Sequence, residues 1–545
     1  MLFSLINLSL ISINIIGFSV FCKRLIVGKN LDYQNLDFSY GIFFLIFFSL
    51  FVNFFSPLNF ISFPVFILGI ILFFYYLLKK KIQFYVFFII LINFFLLFIS
   101  DGNDLVYDSK LYHLQTIKYN SDFKSIFGLG NLEPRLAMNS TYHSLIALFN
   151  FNLFNQNIIY LFNISLYSFF ILIFFDKTLN GMKISNLTFK LSLFFILIYS
   201  FLHPWKNGTI LNNLGSPEVD TIAMFFFISS FTYFIKFVET KDIDYLRSVI
   251  IFSIITITFK LSYIYLFLLL LYLIYYFRKY FSFNMLIVFI FLMSMMWIFK
   301  SIILSGCIIF PIKFTCIDLS WSLGTTNVEG YKNIIQSFNR TLPDNLNWND
   351  FDYTLQSLKW FKPWFISYYL KTEFLLISTL LILISIILIF IKIVIQTKKR
   401  LIKDKKIFYF LLLFFLSGLY VWFQSPDIRF GYGYFITLVA YLISIYLCSF
   451  ENFRIKNYYF NTMFIICIFT LIFNNFNNFK NINKKTFNRE FNYQNFEKIY
   501  SYNEFDIYKP KYDPFCNSFK NFCSYQSFNV KIKNKKNYIF IENNW

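Results

Sequence analysis

Apolar runs of roughly bilayer length follow one another along most of the chain, near residues 2–22, 40–55, 59–78, 83–100, 156–175, 190–203, 219–238, 246–259, 261–277, 284–303, 373–396, 407–423, 431–449 and 457–474. A helix needs about 20 such residues to cross a hydrocarbon core near 30 Å thick, because every backbone N–H and C=O must find its partner inside the segment. The pattern predicts an all-α polytopic membrane protein with about 14 transmembrane helices. Composition agrees: 58% of the residues are hydrophobic and 14% charged, against about 25% charged in soluble domains, which excludes a soluble protein. Seven cysteines in 545 residues are too sparse for a small disulfide scaffold. The first run resembles a secretory signal, but Lys23 and Arg24 follow it and no cationic segment precedes it, so it reads as a retained helix.

The formal charge is +21, and the cations fall mainly between the runs. Lys79, Lys80 and Lys81, then Arg278 and Lys279, then Lys398, Lys399, Arg400, Lys403, Lys405 and Lys406, then Arg454 and Lys456 can all be placed on one side, the cytoplasmic one by the positive-inside rule. The outer loops are then 101–141, 203–218 and 304–372, with the island 424–430 and the tail 475–545 on the same face. Residues 142–155 must lie along the interface as an amphipathic segment. The expected organisation is a transmembrane domain over 1–474 and a non-cytoplasmic C-terminal tail over 475–545, in a bacterial inner (cytoplasmic) membrane. No basic helix, zinc spacing or aromatic RNA-binding motif accompanies the charge, so no nucleic-acid partner is expected. Cys307 and Cys316 in the largest loop and Cys516 and Cys523 in the tail all fall on the outer face, where an oxidising compartment preserves disulfides. Their spacings permit bridging without requiring it. Cys22, Cys448 and Cys467 sit in apolar runs and read as packing residues.

No phosphate-binding loop, dinucleotide fingerprint, HExxH or CxxC occurs, and His113, His143 and His203 are the only histidines. Candidate chemistry lies in the polar islands. Asp101, Asp104 and Asp108 stand together at the end of an apolar run. A carboxylate there can take a proton from a sugar hydroxyl or help hold a divalent cation, whereas Asp108 could equally cap the helix suggested by the residues after it. Arg135 can grip a phosphate bidentately or pair with Glu133. Glu218 and Asp220 precede an apolar run, where the helix dipole favours acids; alternatively they face the same cleft as Asp108. Lys260 and Arg429 interrupt apolar sequence, where charges are paired or functional. Arg429 can pair with Asp427 and Lys260 can snorkel, or both can neutralise a lipid phosphate at the outer interface. Trp321, Trp348, Trp360 and Trp364 read as an aromatic belt.

Tyr107-Asp108-Ser-Lys-Leu-Tyr112-His113-Leu-Gln115, Gly128-Leu-Gly130-Asn131-Leu-Glu-Pro-Arg135-Leu-Ala-Met-Asn139-Ser140, Ser216-Pro217-Glu218-Val-Asp220, Lys260-Leu-Ser262, Ser305-Gly306-Cys307 with Phe310-Pro311, and Pro426-Asp427-Ile-Arg429-Phe430 occur in this order. Together they resemble the markers of a bacterial envelope family within the GT-C superfamily of polytopic glycosyltransferases, which use polyprenyl-phosphate-linked sugars on the outer face of the membrane. The resemblance spans most of residues 100–435. It implies a GT-C-like helical bundle whose outer loops form a cleft, and transfer of a sugar from a lipid-linked donor to an envelope glycan, lipid or protein acceptor. It implies Asp108 as the catalytic base, with Lys260, Arg429 and Arg135 stabilising the departing phosphate, and His113, Glu218 and Asp220 binding substrate. Asp104 and Asp108 depart from a strict Asp-X-Asp or Glu-X-Asp pattern, which leaves a need for Mg or Mn open; no other cofactor is expected. The rival readings are an O-antigen polymerase or ligase, a flippase for a lipid-linked glycan, which the lack of a visible inverted repeat disfavours, and an inactive assembly protein.

Overall fold

The computed structural model describes residues 2–28, 33–82, 87–99, 105–176, 179, 181, 183–202, 212–280, 285–342, 348–395, 405–449, 461–463, 465–470, 496–502, 505–512, 514–517, 519, 521–524, 530–535 and 537–543. Asp101, Asp104, His203 and the cations Lys398, Lys399, Arg400, Lys403, Arg454 and Lys456 lie outside the described residues. In chain order the helices are α1 (Leu2–Val27), α2 (Phe38–Phe55), α3 (Asn59–Leu78), α4 (Phe88–Ile99), α5 (Leu114–Asp122), α6 (Thr141–Ala147), α7 (Phe162–Phe174), α8 (Ile184–Leu202), α9 (Asp220–Thr240), α10 (Ile243–Phe259), α11 (Leu266–Tyr276), α12 (Met285–Ser305), α13 (Thr325–Arg340), α14 (Phe361–Trp364), α15 (Glu373–Ile395), α16 (Lys405–Gln424) and α17 (Ile428–Cys448). Among the described residues, seven short strands accompany them: β1 (Asn152–Leu153), β2 (Gln156–Asn157), β3 (Phe496–Tyr502), β4 (Phe505–Pro510), β5 (Phe522–Cys523), β6 (Val530–Lys535) and β7 (Tyr538–Asn543).

Among the described residues, eight helical segments are long and apolar enough to cross a membrane: α1, α2 with its leading turn, α3, α9, α12, α15, α16 and α17. The expected count of about 14 spans is therefore too high. Among the described residues, the runs at 83–100, 156–175, 190–203, 261–277 and 457–474 hold the shorter apolar helices Phe88–Leu97, Ile158–Phe174, Ile184–Ser200, Leu266–Tyr276 and Asn461–Thr470, and 246–259 lies in the 17-residue α10. Hydropathy cannot separate a lipid-facing helix from one wrapped by protein, since both are apolar all round. All 13 residues of α7 are buried. By contrast, Leu380, Leu383, Ile387 and Phe390 on α15 are exposed, as expected of a face turned to hydrocarbon.

Close crossings hold the bundle together. α1 passes α3 so tightly that a Cβ on Gly17 would stand 2.0 Å from the Gly69 carbonyl oxygen, and Asn14 donates to the Phe66 carbonyl at 2.8 Å beside this contact. Small residues permit such an approach between membrane helices.

The loops gather at one end. The Phe127 and Ile541 amides donate to Ile539 and Phe127 carbonyls at 2.9 and 2.8 Å, and the Gly128 amide donates to Ile303 at 2.7 Å. Gly128 has φ +71°, and a Cβ there would meet the Ile541 carbonyl at 2.2 Å, so only glycine fits this junction of first loop, α12 and tail. Helix directions carry Lys23, Arg24 and the 79–81 lysines to the opposite end, since Asn7 near the start of α1 is bonded to Leu153 in the loops and Leu58, just before α3, is bonded to Asn120.

The protein is mostly helical but not all-α. In the tail, β4 pairs with β3 antiparallel and with β5 parallel, and β6 and β7 form an antiparallel hairpin. In Val530-Lys-Ile-Lys the apolar residues are buried and Lys531 is exposed, the period-two alternation of a half-buried strand. Of residues 142–155, expected along the interface, 142–149 are buried inside the protein while Asn152, Phe154 and Asn155 are exposed; Tyr142 and Ser144 of α6 are held by Asn163 and Lys300, and its Leu145, Ile146 and Ala147 join the core. Nor do the loop tryptophans all form a belt: Trp360 and Trp364 are buried, their rings 5.5 Å from Phe423 and 6.0 Å from Trp422, and the Arg340 guanidinium lies 4.9 Å from the Trp360 ring.

Candidate functional site

The head of α17 builds the centre of the site. The first amides of a helix have no partner within it, and Asp427, extended before α17, accepts from the Arg429 amide at 2.9 Å as an N-cap. Its second oxygen accepts from Arg429 Nε at 3.1 Å, folding the guanidinium back onto the cap and leaving Nη1 to reach Asp108 Oδ2 at 2.7 Å. The Trp422 indole donates to the Asp427 carbonyl at 2.9 Å, and the Ile428 amide donates to the Tyr368 hydroxyl at 3.1 Å. Lys260 stands where an extended backbone breaks the helix after Phe259. Its ammonium pairs with Asp220, the first residue of α9, and lies 4.3 Å from the Phe430 ring centroid.

Asp108 precedes the π-helical turn Ser109–His113, but its side chain makes no cap bond; it is turned to Arg429 instead. Ser109 Oγ lies 3.2 Å from His113 Nδ1 and accepts from the Ser216 hydroxyl at 2.8 Å, which ties the first loop to the second. Asn163 donates to the Ser216 and Glu218 carbonyls at 2.8 Å each, and its own carbonyl accepts from Tyr142. The Glu218 side chain is buried, and its Oε2 has no hydrogen-bond partner among the described residues. The buried His143 ring lies 4.7 Å from that of His113, and neither of its nitrogens has a partner among the described residues.

These groups act on one another electrostatically. Burial pushes the Asp108 carboxyl up, but Arg429, His113 and Arg135 together hold it below its ordinary value. Burial, reinforced by the nearby Asp220, drives the Glu218 carboxyl upward against Arg429 and Lys260. Burial lowers His113 to about 4 despite Asp108 and Asp220, so its imidazole is neutral at physiological pH. The structure thus brings Asp108, His113, Glu218, Asp220, Lys260 and Arg429 into one cluster. Arg135 is held 3.4 Å from Glu133, the ion pair that the sequence offered as one alternative, while its charge still reaches Asp108. Among the described residues no group of three or more His, Cys, Asp or Glu is arranged to hold a metal ion.

Tyr368 and Lys300 escaped the sequence reading. Tyr368 carries no signal beyond being aromatic in an aromatic-rich chain. Lys300 does: it is a lone cation in an apolar run, a pattern that marks structure or function in a membrane helix. It is buried in α12 and donates to Asn53 Oδ1, Asn120 Oδ1 and Ser144 Oγ at 3.0, 2.7 and 2.9 Å, tying α2, α5 and α6 together. Cys307 is bonded to Cys316 and Cys516 to Cys523, both at the loop-rich end. The Cys516–Cys523 segment lies against the first outer loop: the Asn517 amide donates to the Lys110 carbonyl at 2.9 Å, and Phe515 packs 5.1 Å from Tyr107.

The family described as Domain of unknown function (DUF8201) matches residues 1–436, most of the chain, and the chain belongs to that family. The tail strands lie beyond the matched region. No curated protein and no solved structure matches the chain.

Proposed function

We propose that this member of the DUF8201 family is a membrane glycosyltransferase that moves a sugar from a polyprenyl-phosphate donor to an envelope glycan, lipid or protein at its loop-rich end. The observation that carries the reading is the meeting of Arg429 and Lys260, from α17 and from the break after α10, in one carboxylate-rich cluster at the ends of membrane helices. A phosphate anchored by a lipid tail lies at that depth. Fixed cations lower a barrier most where negative charge develops, and in this reaction it develops on the leaving phosphate. Arg429 is preorganised by Asp427 and Asp108, and Lys260 by Asp220, so neither has to reorganise as the sugar–phosphate bond breaks. Asp108 is committed to Arg429, and its share in the reaction is to aim that guanidinium.

The chain is multi-pass, and we assign it to a bacterial inner membrane with the loop-rich end outward, following the distribution of Lys and Arg. The test is the purified full chain in liposomes with a panel of polyprenyl-phosphate sugars and glycan acceptors, with and without chelator. A new glycosidic bond is expected, and dependence on added Mg or Mn is read from the same assay. Translocation of unmodified lipid-linked sugar would instead make the protein a flippase, and joining of preassembled glycan chains a polymerase or ligase.

A further inference from the structure

Three of the four carboxylates in the cluster are committed to cations: Asp108 and Asp427 to Arg429, and Asp220 to Lys260. Glu218 is not. Its side chain is buried, its Oε2 has no hydrogen-bond partner among the described residues, and its backbone carbonyl is held by Asn163. A buried polar atom without a partner costs free energy, and an unpartnered carboxylate oxygen among charged groups calls for a functional explanation. The groups that face it come from every side: Asp108 in the first loop, Tyr142 on α6, Asp220 on α9, Lys260 at the break after α10, and Arg429 and Tyr432 on α17.

We propose that Glu218 is the catalytic base of this centre and takes the acceptor's proton at Oε2, while Asp108, Asp220 and Asp427 hold the two cations. The assignment rests on the transferase reading above. In the step, the acceptor hydroxyl oxygen forms a bond to the anomeric carbon and its proton moves to Glu218. The bond between that carbon and the phosphate oxygen breaks, its electron pair staying on the phosphate opposite Lys260 and Arg429. The proton leaves Glu218 for water after product departs. A base works best when its proton affinity matches the working pH, and burial beside Asp220 moves Glu218 in that direction, whereas Arg429 moves Asp108 the other way.

Two measurements on the full chain in liposomes test this. Dicyclohexylcarbodiimide, an apolar reagent that modifies protonated carboxyls, is applied at neutral pH and the modified residue found by peptide mass spectrometry. Glu218 is expected to react ahead of Asp108, Asp220 and Asp427; modification of one of those three in its place overturns the proposal. Transfer kinetics are then compared across pH. Glu218→Gln is expected to lower kcat by about 100-fold or more and to abolish the rise of rate with pH, while Glu218→Asp keeps that rise at reduced rate. A Glu218→Gln protein that keeps both the rise and a kcat within about threefold of the parent overturns the assignment and leaves the transferase reading intact. Selective modification of Glu218 in a protein inert toward every lipid-linked sugar overturns both.

Discussion

Arg429 donates to Asp108 at 2.7 Å across 321 residues of sequence, so the head of α17 and the first loop are a single electrostatic unit. The same guanidinium is gripped from behind by Asp427 at 3.1 Å. A planar fork held at two points is aimed, and an ammonium on a flexible stem is not.

Arg429→Lys should therefore lose more than its unchanged charge suggests. Transfer is expected to fall by about 100-fold or more. Asp108→Asn leaves the Asp427 grip in place and should cost about 10- to 100-fold, with a raised KM for the lipid-linked donor. Steady-state kinetics on liposome-embedded protein check both, and an Asp108→Asn variant with unchanged kinetics would remove that residue from the site.

The Lys260–Asp220 pair is about one-eighth exposed on each side. Breaking a buried pair from one side leaves an uncompensated charge, whereas removing both charges does not. Lys260→Met and Asp220→Leu should each destabilise the protein by about 3–5 kcal/mol, and the double variant by clearly less than either. Thermal unfolding in detergent of the four proteins measures the coupling; simple additivity would show that the two charges do not interact.

Glu133 and His113 give opposite pH dependences of stability. Burial raises Glu133 to about 7 from 4.5, so its contribution is full below about 4.5 and lost as pH rises through about 7. Burial lowers His113 to about 4 from 6.5, so its contribution is full above about 6.5 and lost as pH falls through about 4. Each amounts to roughly 3 kcal/mol at most, and between about pH 4.5 and 6.5 they largely offset. Glu133→Gln should make the protein lose stability more steeply toward acid, and His113→Phe should make it lose more toward neutral pH. Melting temperatures across this range, subtracted from those of the parent, check the two slopes; identical slopes in both variants would contradict the assignment.

Reduction of the Cys516–Cys523 loop should loosen the tail from the first loop. Closing a loop this short contributes about 2–3 kcal/mol, and the Cys516→Ser variant should release tail fragments under mild proteolysis faster than the parent. Thiol labelling of intact cells also checks the topology. Cys307, Cys316, Cys516 and Cys523 should label only after reduction by an impermeant reagent, and labelling without it would place the loop-rich end in a reducing compartment.

The charged positions were readable in the sequence because a charge beside an apolar run is conspicuous: Asp108, Glu218, Asp220, Lys260 and Arg429 all stand at such borders, and all five meet. What each one touches was not readable. For Asp108 its neighbours allowed a helix cap as well as a carboxylate free for proton transfer or a cation, and only the arrival of Arg429 from the far end of the chain shows an ion pair. The strand pattern in the tail was present in Val530-Lys-Ile-Lys but is faint beside so much apolar helix, and its packing partners lie hundreds of residues earlier.

The sequence by itself determined that this is a multi-pass helical protein with its polar loops on one face, because apolar run length and the placing of Lys and Arg act locally on each segment. Which runs span and which are swallowed by the core, and which carboxylate is left without a cation, were decided only by tertiary structure. Burial and pairing depend on neighbours that the chain brings together across hundreds of residues, and no local pattern encodes them.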